Sequence, residues 1–237
     1  KFQMAEPFLL SHKDWFHGTL EACKKTGLIL QVESGGTPKT NEDDYWEGDI
    51  PWLTPKEITD MDGVYVSKTE RNITTLGLKS SAAKLLPAGT VMLSKRAPVG
   101  AVAVNTVPMA TNQGFLNFTC GPLLRPLYLA YWFRLNKPYL DAVANGSTYP
   151  ELYKSDLFEF HISVPSVDVQ DKILKVISAL QFCKLSGHAL EQSALDMQQL
   201  SNIKAESNEL EKTINQVMFL LFSGELSIDD LSKRLSL

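Results

Sequence analysis

Three short stretches carry the residue types that could do chemistry. Asn136-Lys137-Pro138-Tyr139 comes nearest to the Asn/Asp-Pro-Pro-Tyr arrangement that accepts hydrogen bonds from a flipped adenine amine during methyl transfer. Lys137 stands where the first proline belongs, and no glycine-rich loop after a strand precedes it to hold a nucleotide-type cofactor. Glu42, Asp43, Asp44, Glu47 and Asp49 form the densest run of carboxylates, the groups a metal-dependent nuclease uses to hold its ions. They lie between Gly, Pro and Asn residues, where a solvated acidic tract is expected. Glu151-Leu152-Tyr153-Lys154 has one residue too many for a Glu-x-Lys core, and His12 and His17 lack the spacing of a zinc helix, with no cysteines to support them. No Ser/His/Asp arrangement is readable, so the sequence points away from catalysis.

Other residues suit recognition. Lys95-Arg96 places two adjacent cations between an apolar run and a proline turn; arginine reads guanine in the major groove, and lysine contacts guanine or phosphate. The alternative is a solvated strand end. Asn112 and Gln113 are the types that bind adenine through paired hydrogen bonds, or that cap a turn before Gly114. Ser147, Thr148 and Tyr149 follow Gly146 in a polar loop suited to phosphate contact, which Lys154 extends. Trp46 and Trp52 are expected in the core rather than against bases.

Charge is unevenly spread. The whole chain carries a net charge of -4 and a pI near 5.6, against the usual footprint of a nucleic-acid binder. Between Glu33 and Asp62, nine acids face only Lys39 and Lys56. From Val64 to Lys154, ten cations face Glu70, Asp141 and Glu151, a net of +7. Phosphate contact needs such a local positive field, although a solvated mixed surface has the same composition.

The elements that must position these residues change in kind along the chain. Residues 1 to about 165 read as mixed α/β with short strands, among them Asp49 to Leu53, Val91 to Ser94 and Val99 to Val104, punctuated by Pro and Gly. Gly35-Gly36 and Pro38 mark a turn where the backbone approaches something closely. Leu123 to Val143 reads as helix, with Leu127, Tyr131, Leu135 and Leu140 near one face, Pro126 in the first turn and Pro138 ending or kinking it. From Val167 to Phe222 a long helix is expected, within a helical region over 166–237. Ile173, Ile177 and Leu180, then Leu190, Ala194 and Met197, then Leu210, Ile214, Val217 and Leu221 recur in steps of four and three, the seam of a coiled coil. The phase shifts near Gly187, a stammer. About 50 residues at ~1.5 Å each make a rod of roughly 75 Å, whose stripe is expected to need a partner helix. Gly224 is expected to cap its end.

The chain has 237 residues, 44% of them hydrophobic, enough for one large domain or two small ones with a real core. No apolar run approaches the ~18 residues of a membrane span, and the start has no signal-peptide core. Position 1 is not Met, which points to a trimmed chain or a fragment. Cys23, Cys120 and Cys183 are odd in number and widely spaced, consistent with a reduced, cytoplasmic protein.

Four blocks carry a resemblance. They are SGGTPKTNEDDYWEGDIPWLTPKEI (Ser34 to Ile58), GTVMLSKRAPVGAVAV (Gly89 to Val104), TNQGF (Thr111 to Phe115) and GSTYPELYKSDLFEFHISVPSVDVQDKI (Gly146 to Ile173). In this order, and with FSGEL from Phe222 to Leu226, they resemble the specificity subunit of type I restriction–modification enzymes. No internal repeat is present, whereas a full specificity subunit has two recognition domains and two long helices; the chain resembles half of one. The resemblance implies an α/β DNA target-recognition domain over 1–165 and a conserved helical region over 166–237. It implies that double-stranded DNA is read without catalysis by a face including Gly36, Thr37, Lys39, Lys95, Arg96, Asn112, Gln113, Ser147, Thr148, Tyr149 and Lys154. It further implies partners: modification subunits carrying S-adenosylmethionine, a restriction subunit using ATP and Mg, and a second long helix from another copy or from the missing half. A coiled-coil assembly module whose globular part binds protein is the alternative.

Overall fold

The computed structural model describes residues 15–59, 61, 63–144, 150–178, 209, 212–226 and 228. They fall into two compact units, one running His17–Ile162 and the other taking Trp15 and Phe16 together with Ser163 onward.

The first unit opens with β1 (Phe16–Thr19), and Thr19 caps α1 (Leu20–Lys25) by accepting the Ala22 N–H at 3.1 Å. Then come β2 (Ile29–Ser34), β3 (Trp46–Leu53), β4 (Tyr65–Val66), β5 (Arg71–Ile73) and α2 (Thr75–Lys79). The second half holds β6 (Val91–Ser94), β7 (Val102–Asn105), β8 (Ala110–Thr111), β9 (Phe115–Cys120), α3 (Pro126–Leu135), α4 (Lys137–Ala144), α5 (Lys154–Phe158) and β10 (His161–Val164).

The strands make a five-stranded sheet in the order β2-β9-β6-β7-β4, a three-stranded sheet β5-β3-β8, and a β1-β10 pair. In the five-stranded sheet only β4 against β7 is parallel. Every residue of β6 and β7 is buried. That explains why their sequences read as continuous apolar runs instead of alternating ones: both faces are covered. Leu53, Ile58, Leu86, Met92, Ala103, Met109 and Phe115 form one core, and Trp46, Trp52, Ile73, Ala83 and Ala110 a second under the smaller sheet.

The expected helix from Leu123 to Val143 is two helices. Pro126 opens α3, the helix stops at Asn136, and Pro138 sits in the first turn of α4. Of the residues expected near one face, Tyr131 and Leu140 are buried and Leu127 and Leu135 partly so, and Tyr128 through Phe133 are all covered. The reason is enclosure. Phe133 meets Phe118 of the sheet at 5.1 Å between ring centroids, and on another side Trp132 meets Phe160 edge-on at 6.4 Å. Asn136, the first residue of the methylation-like tetrapeptide, caps this break. Its side-chain amide donates to the Trp132 carbonyl at 2.8 Å, and its own carbonyl receives the Tyr139 and Leu140 N–H groups at 3.0 Å.

In the second unit, residues 167–178 and 212–223 are helical. Gly224, at φ +77°, ends the latter run, and the Leu226 N–H reaches back to the Leu220 carbonyl at 3.0 Å, the six-to-one bond of a glycine cap. Of the expected seam, Ile173, Ile177, Ile214 and Leu221 are buried and Val217 partly so; Leu180, Leu190, Ala194, Met197 and Leu210 lie outside the described residues. The expectation that the stripe lacks cover within its own chain fails at these four positions. Both runs belong to one compact unit, and this chain alone covers these four side chains.

Candidate nucleic-acid interface

The Gly35-Gly36-Thr37-Pro38 turn is built on close backbone approach. A Cβ on Gly35 would lie 2.1 Å from the Asn112 carbonyl oxygen, and one on Gly36 would lie 2.4 Å from the Ala83 backbone nitrogen. Only glycine allows both. The Gly36 N–H donates to the Thr111 carbonyl at 2.9 Å. Two indoles hold the other side: Trp52 Nε1 donates to the Gly36 carbonyl at 2.9 Å, and Trp46 Nε1 to the Lys39 carbonyl at 3.0 Å. Their rings meet edge-to-face at 5.1 Å, and the Arg71 guanidinium stacks 3.5 Å above Trp46. Both tryptophans are therefore core residues, as expected, and each also uses its one polar atom to fix this loop.

The turn is tied to the next motif. The Thr37 hydroxyl donates to the Gln113 side-chain oxygen. Asn112 caps a turn: its side-chain oxygen accepts the Gly114 N–H at 2.8 Å. The same turn reaches the basic pair, since the Lys95 N–H donates to the Gly114 carbonyl at 2.8 Å. From there the Leu152 N–H donates to the Lys95 carbonyl at 2.8 Å, and Arg96 and Glu151 form an antiparallel bridge. Ser94 Oγ lies 2.7 Å from the Arg96 carbonyl and 2.8 Å from that of Pro98, fixing the bend that follows β6.

Gly36, Thr37, Lys95, Arg96, Asn112 and Gln113 are thus joined through one set of hydrogen bonds, although up to 77 positions apart in sequence, and Lys39 is attached through Trp46, whose ring meets Trp52. Lys39 and Gln113 are exposed, and Lys79 and Lys84 are exposed on the segment that contains Ala83, on which Gly36 packs. Lys154 is placed differently. Its ammonium donates to the Val32 carbonyl at 3.0 Å and sits 5.2 Å from the Phe158 ring, so it ties α5 to β2. Burial holds its pKa below the ordinary lysine value, aided by Lys24 and opposed by Glu33. Ser147, Thr148 and Tyr149 lie outside the described residues.

The basic pair does not stand alone. Lys95 Nζ is 3.0 Å from Glu151 Oε1, and Arg96 is 3.4 Å from Oε2 of the same carboxylate. The hydrogen bond from Lys95 holds the Glu151 carboxyl below its ordinary range; burial opposes that shift and Arg96 adds to it. Sequence reading set Glu151 aside as a failed nuclease motif. The available signal was its sign, since it is one of three acids among ten cations. The other cations of the net +7 segment are partly spent inside the fold. Arg134 donates to the Gly63 carbonyl and Lys137 pairs with Asp141 at 2.8 Å. The acidic tract from Glu42 to Asp44, with Glu47 and Asp49, is exposed as expected, and among the described residues no cluster of three metal-ligating side chains occurs. Among those residues, no helix is long and apolar enough to cross a membrane.

The scaffold is mixed α/β, and it ties its polar loops into one surface. The chain belongs to the family described as the type I restriction modification DNA specificity domain, whose model matches residues 23–192. It is 39% identical over 191 residues to the type I restriction enzyme MjaIX specificity subunit of Methanocaldococcus jannaschii, covering 78% of this chain and 43% of that protein. It is 30% identical over 176 residues to the EcoR124I/EcoR124II specificity subunit of Escherichia coli, covering 71% and 42%. The fold is shared with a solved chain from work on complex assembly and conformational transition of the type I R-M system (TM-score 0.61, 18% identity, 94% of this chain and 49% of that one). It is shared also with the HsdS subunit of Thermoanaerobacter tengcongensis (TM-score 0.57, 17% identity, 94% and 48%). The chain spans less than half the length of the curated relatives it matches.

Proposed function

We propose that this chain reads one half of a bipartite DNA site for a type I restriction–modification system and does no chemistry itself. The observation that carries the reading is the hydrogen-bonded union of the Gly36-Thr37 turn, the Asn112–Gly114 turn and Lys95-Arg96 into one surface with exposed cations on it. Duplex recognition needs cations to engage phosphate and oriented polar side chains to read base edges. The family membership supports the same reading.

In this reading the region 166–237 pairs with a second long helix, from another copy or from the rest of a longer subunit, and docks modification subunits. Those subunits carry S-adenosylmethionine, while a restriction subunit uses ATP and Mg; the complex works in the cytoplasm. Pairing of two copies gives a twofold dimer and hence a palindromic split site. The test is a gel shift on mixed genomic duplex fragments over a salt series. The expected result is retention that weakens steeply with salt, with a minority of fragments retained longest. If no fragment is retained even at low salt, the reading fails.

A further inference from the structure

We propose that Glu151 sets sequence discrimination, by neutralising one of the two charges at the end of β6 and turning Arg96 into an oriented donor. This rests on the DNA-reading function proposed above. A bare Lys-Arg pair attracts any phosphate, and such attraction carries no sequence information. Here one carboxylate takes Lys95 on one oxygen and Arg96 on the other. The two cations differ in what remains. Lys95 is 18% exposed and its ammonium faces Glu151; Arg96 is 49% exposed and touches the carboxylate through one nitrogen only. A guanidinium has five N–H donors in a rigid fork, so most of them stay available. The bend that carries Arg96 is fixed independently by Ser94 Oγ on the Arg96 and Pro98 carbonyls. The local net charge is therefore one, not two, and the accessible cation has a defined direction. Specificity gains from both: less attraction to every phosphate, and a donor already aimed.

The test compares the full chain with Glu151→Gln and Glu151→Asp. The backbone ties at this place, Leu152 N–H to the Lys95 carbonyl and the Arg96–Glu151 bridge, do not use the carboxylate, so the Gln variant is expected to fold. Two duplex probes are used: a randomised pool, and the pool enriched by repeated selection on the unmutated chain. For Glu151→Gln the salt slope on the randomised pool should steepen by about one unit, so a fourfold rise in salt costs about 3.5-fold more affinity than before. The ratio of enriched to random binding should fall. Glu151→Asp, which keeps the charge, should keep the slope. Unchanged slope and ratio in Glu151→Gln overturn the proposal, as does equal weakening on both pools, which marks a structural role only. If Glu151→Gln fails to fold, Lys95→Gln decides. It takes the local charge from one to none and leaves the carboxylate to Arg96, so the slope should flatten by about one unit and the ratio of enriched to random binding should fall; an unchanged slope and ratio overturn the assignment. Failure of the unmutated chain to bind either pool overturns the DNA-reading function along with it, and is distinguishable from the other outcomes.

Discussion

The Trp52 indole donates its only N–H to the Gly36 carbonyl, 16 residues away, at 2.9 Å. Trp52 is 5% exposed and the bond is buried, so no solvent replaces it. Trp52→Phe keeps most of the ring volume but leaves that carbonyl without its partner, a cost of about 1–3 kcal/mol. Urea unfolding should show a lower midpoint with an unchanged slope. A midpoint equal to that of the unmutated chain means the indole serves as bulk alone.

Gly36→Ala is the sharper probe of the same loop. The new methyl would start 2.4 Å from the backbone of both Ala82 and Ala83, and backbone cannot rotate away as a side-chain tip can. The turn must shift, with a destabilisation on the order of 1–3 kcal/mol. Because Thr37 bonds Gln113, the shift should also weaken duplex binding. A variant with normal stability and normal binding contradicts the close approach.

How much of this was readable in advance depends on the range of the interaction. The glycine turn, the helix break at Pro138 and the Gly224 cap were legible because each rests on local backbone rules. The seam residues were found by their period, but their cover was misjudged: period shows which face is apolar, not what lies against it. Likewise the residues near one face of Leu123 to Val143 did not show that sheet and aromatic rings enclose α3. Glu151 was missed because its partners are 55 and 56 positions away, and no local pattern encodes a pair at that separation. The Lys154 ammonium was assigned to a phosphate loop for the same reason; its bond to Val32 spans 122 positions.

The Glu151 carboxyl is held below its ordinary value in the folded chain. A depressed folded pKa contributes stability that is complete above the unfolded value, about 4.3, and is lost as pH falls through the folded value. Stability should therefore decline below about pH 4.3 partly through this group. Glu151→Gln should flatten that part of the acid limb in melts followed from pH 6 down to about pH 3. An acid limb identical in the two proteins shows that the pair contributes nothing to folding.

Cys23 is buried, and burial pushes its thiol up to about 12; burial, with Cys23 adding, likewise holds Cys120 at about 12. The thiolate is the reactive form, so both should resist alkylation of the folded chain near pH 8. Mass spectrometry of peptides after iodoacetamide treatment should find Cys23 and Cys120 unmodified until denaturant is added. Rapid labelling of Cys23 in the native protein contradicts its burial, and that of Cys120, which is only partly covered, contradicts its raised pKa.

The last prediction separates folding from assembly in the helical region. Ile214 is 6% exposed within one chain, whereas Val217, on the same expected seam, is only partly covered. An Asp at position 214 puts a charge where water is already excluded, which costs several kcal/mol whatever the oligomeric state. An Asp at position 217 meets partial solvent and should leave the single chain folded. If the seam pairs with a second copy, the unmutated chain should sediment as a dimer at micromolar concentration. Val217→Asp should then be a folded monomer, and Ile214→Asp should lose helix by circular dichroism as well. A compact monomer in the unmutated chain means that the second helix comes from another part of a longer subunit, or that 166–237 is complete by itself. Circular dichroism and sedimentation on the three proteins decide among these outcomes, because burial within the chain predicts the effect at Ile214 and pairing alone predicts the effect at Val217.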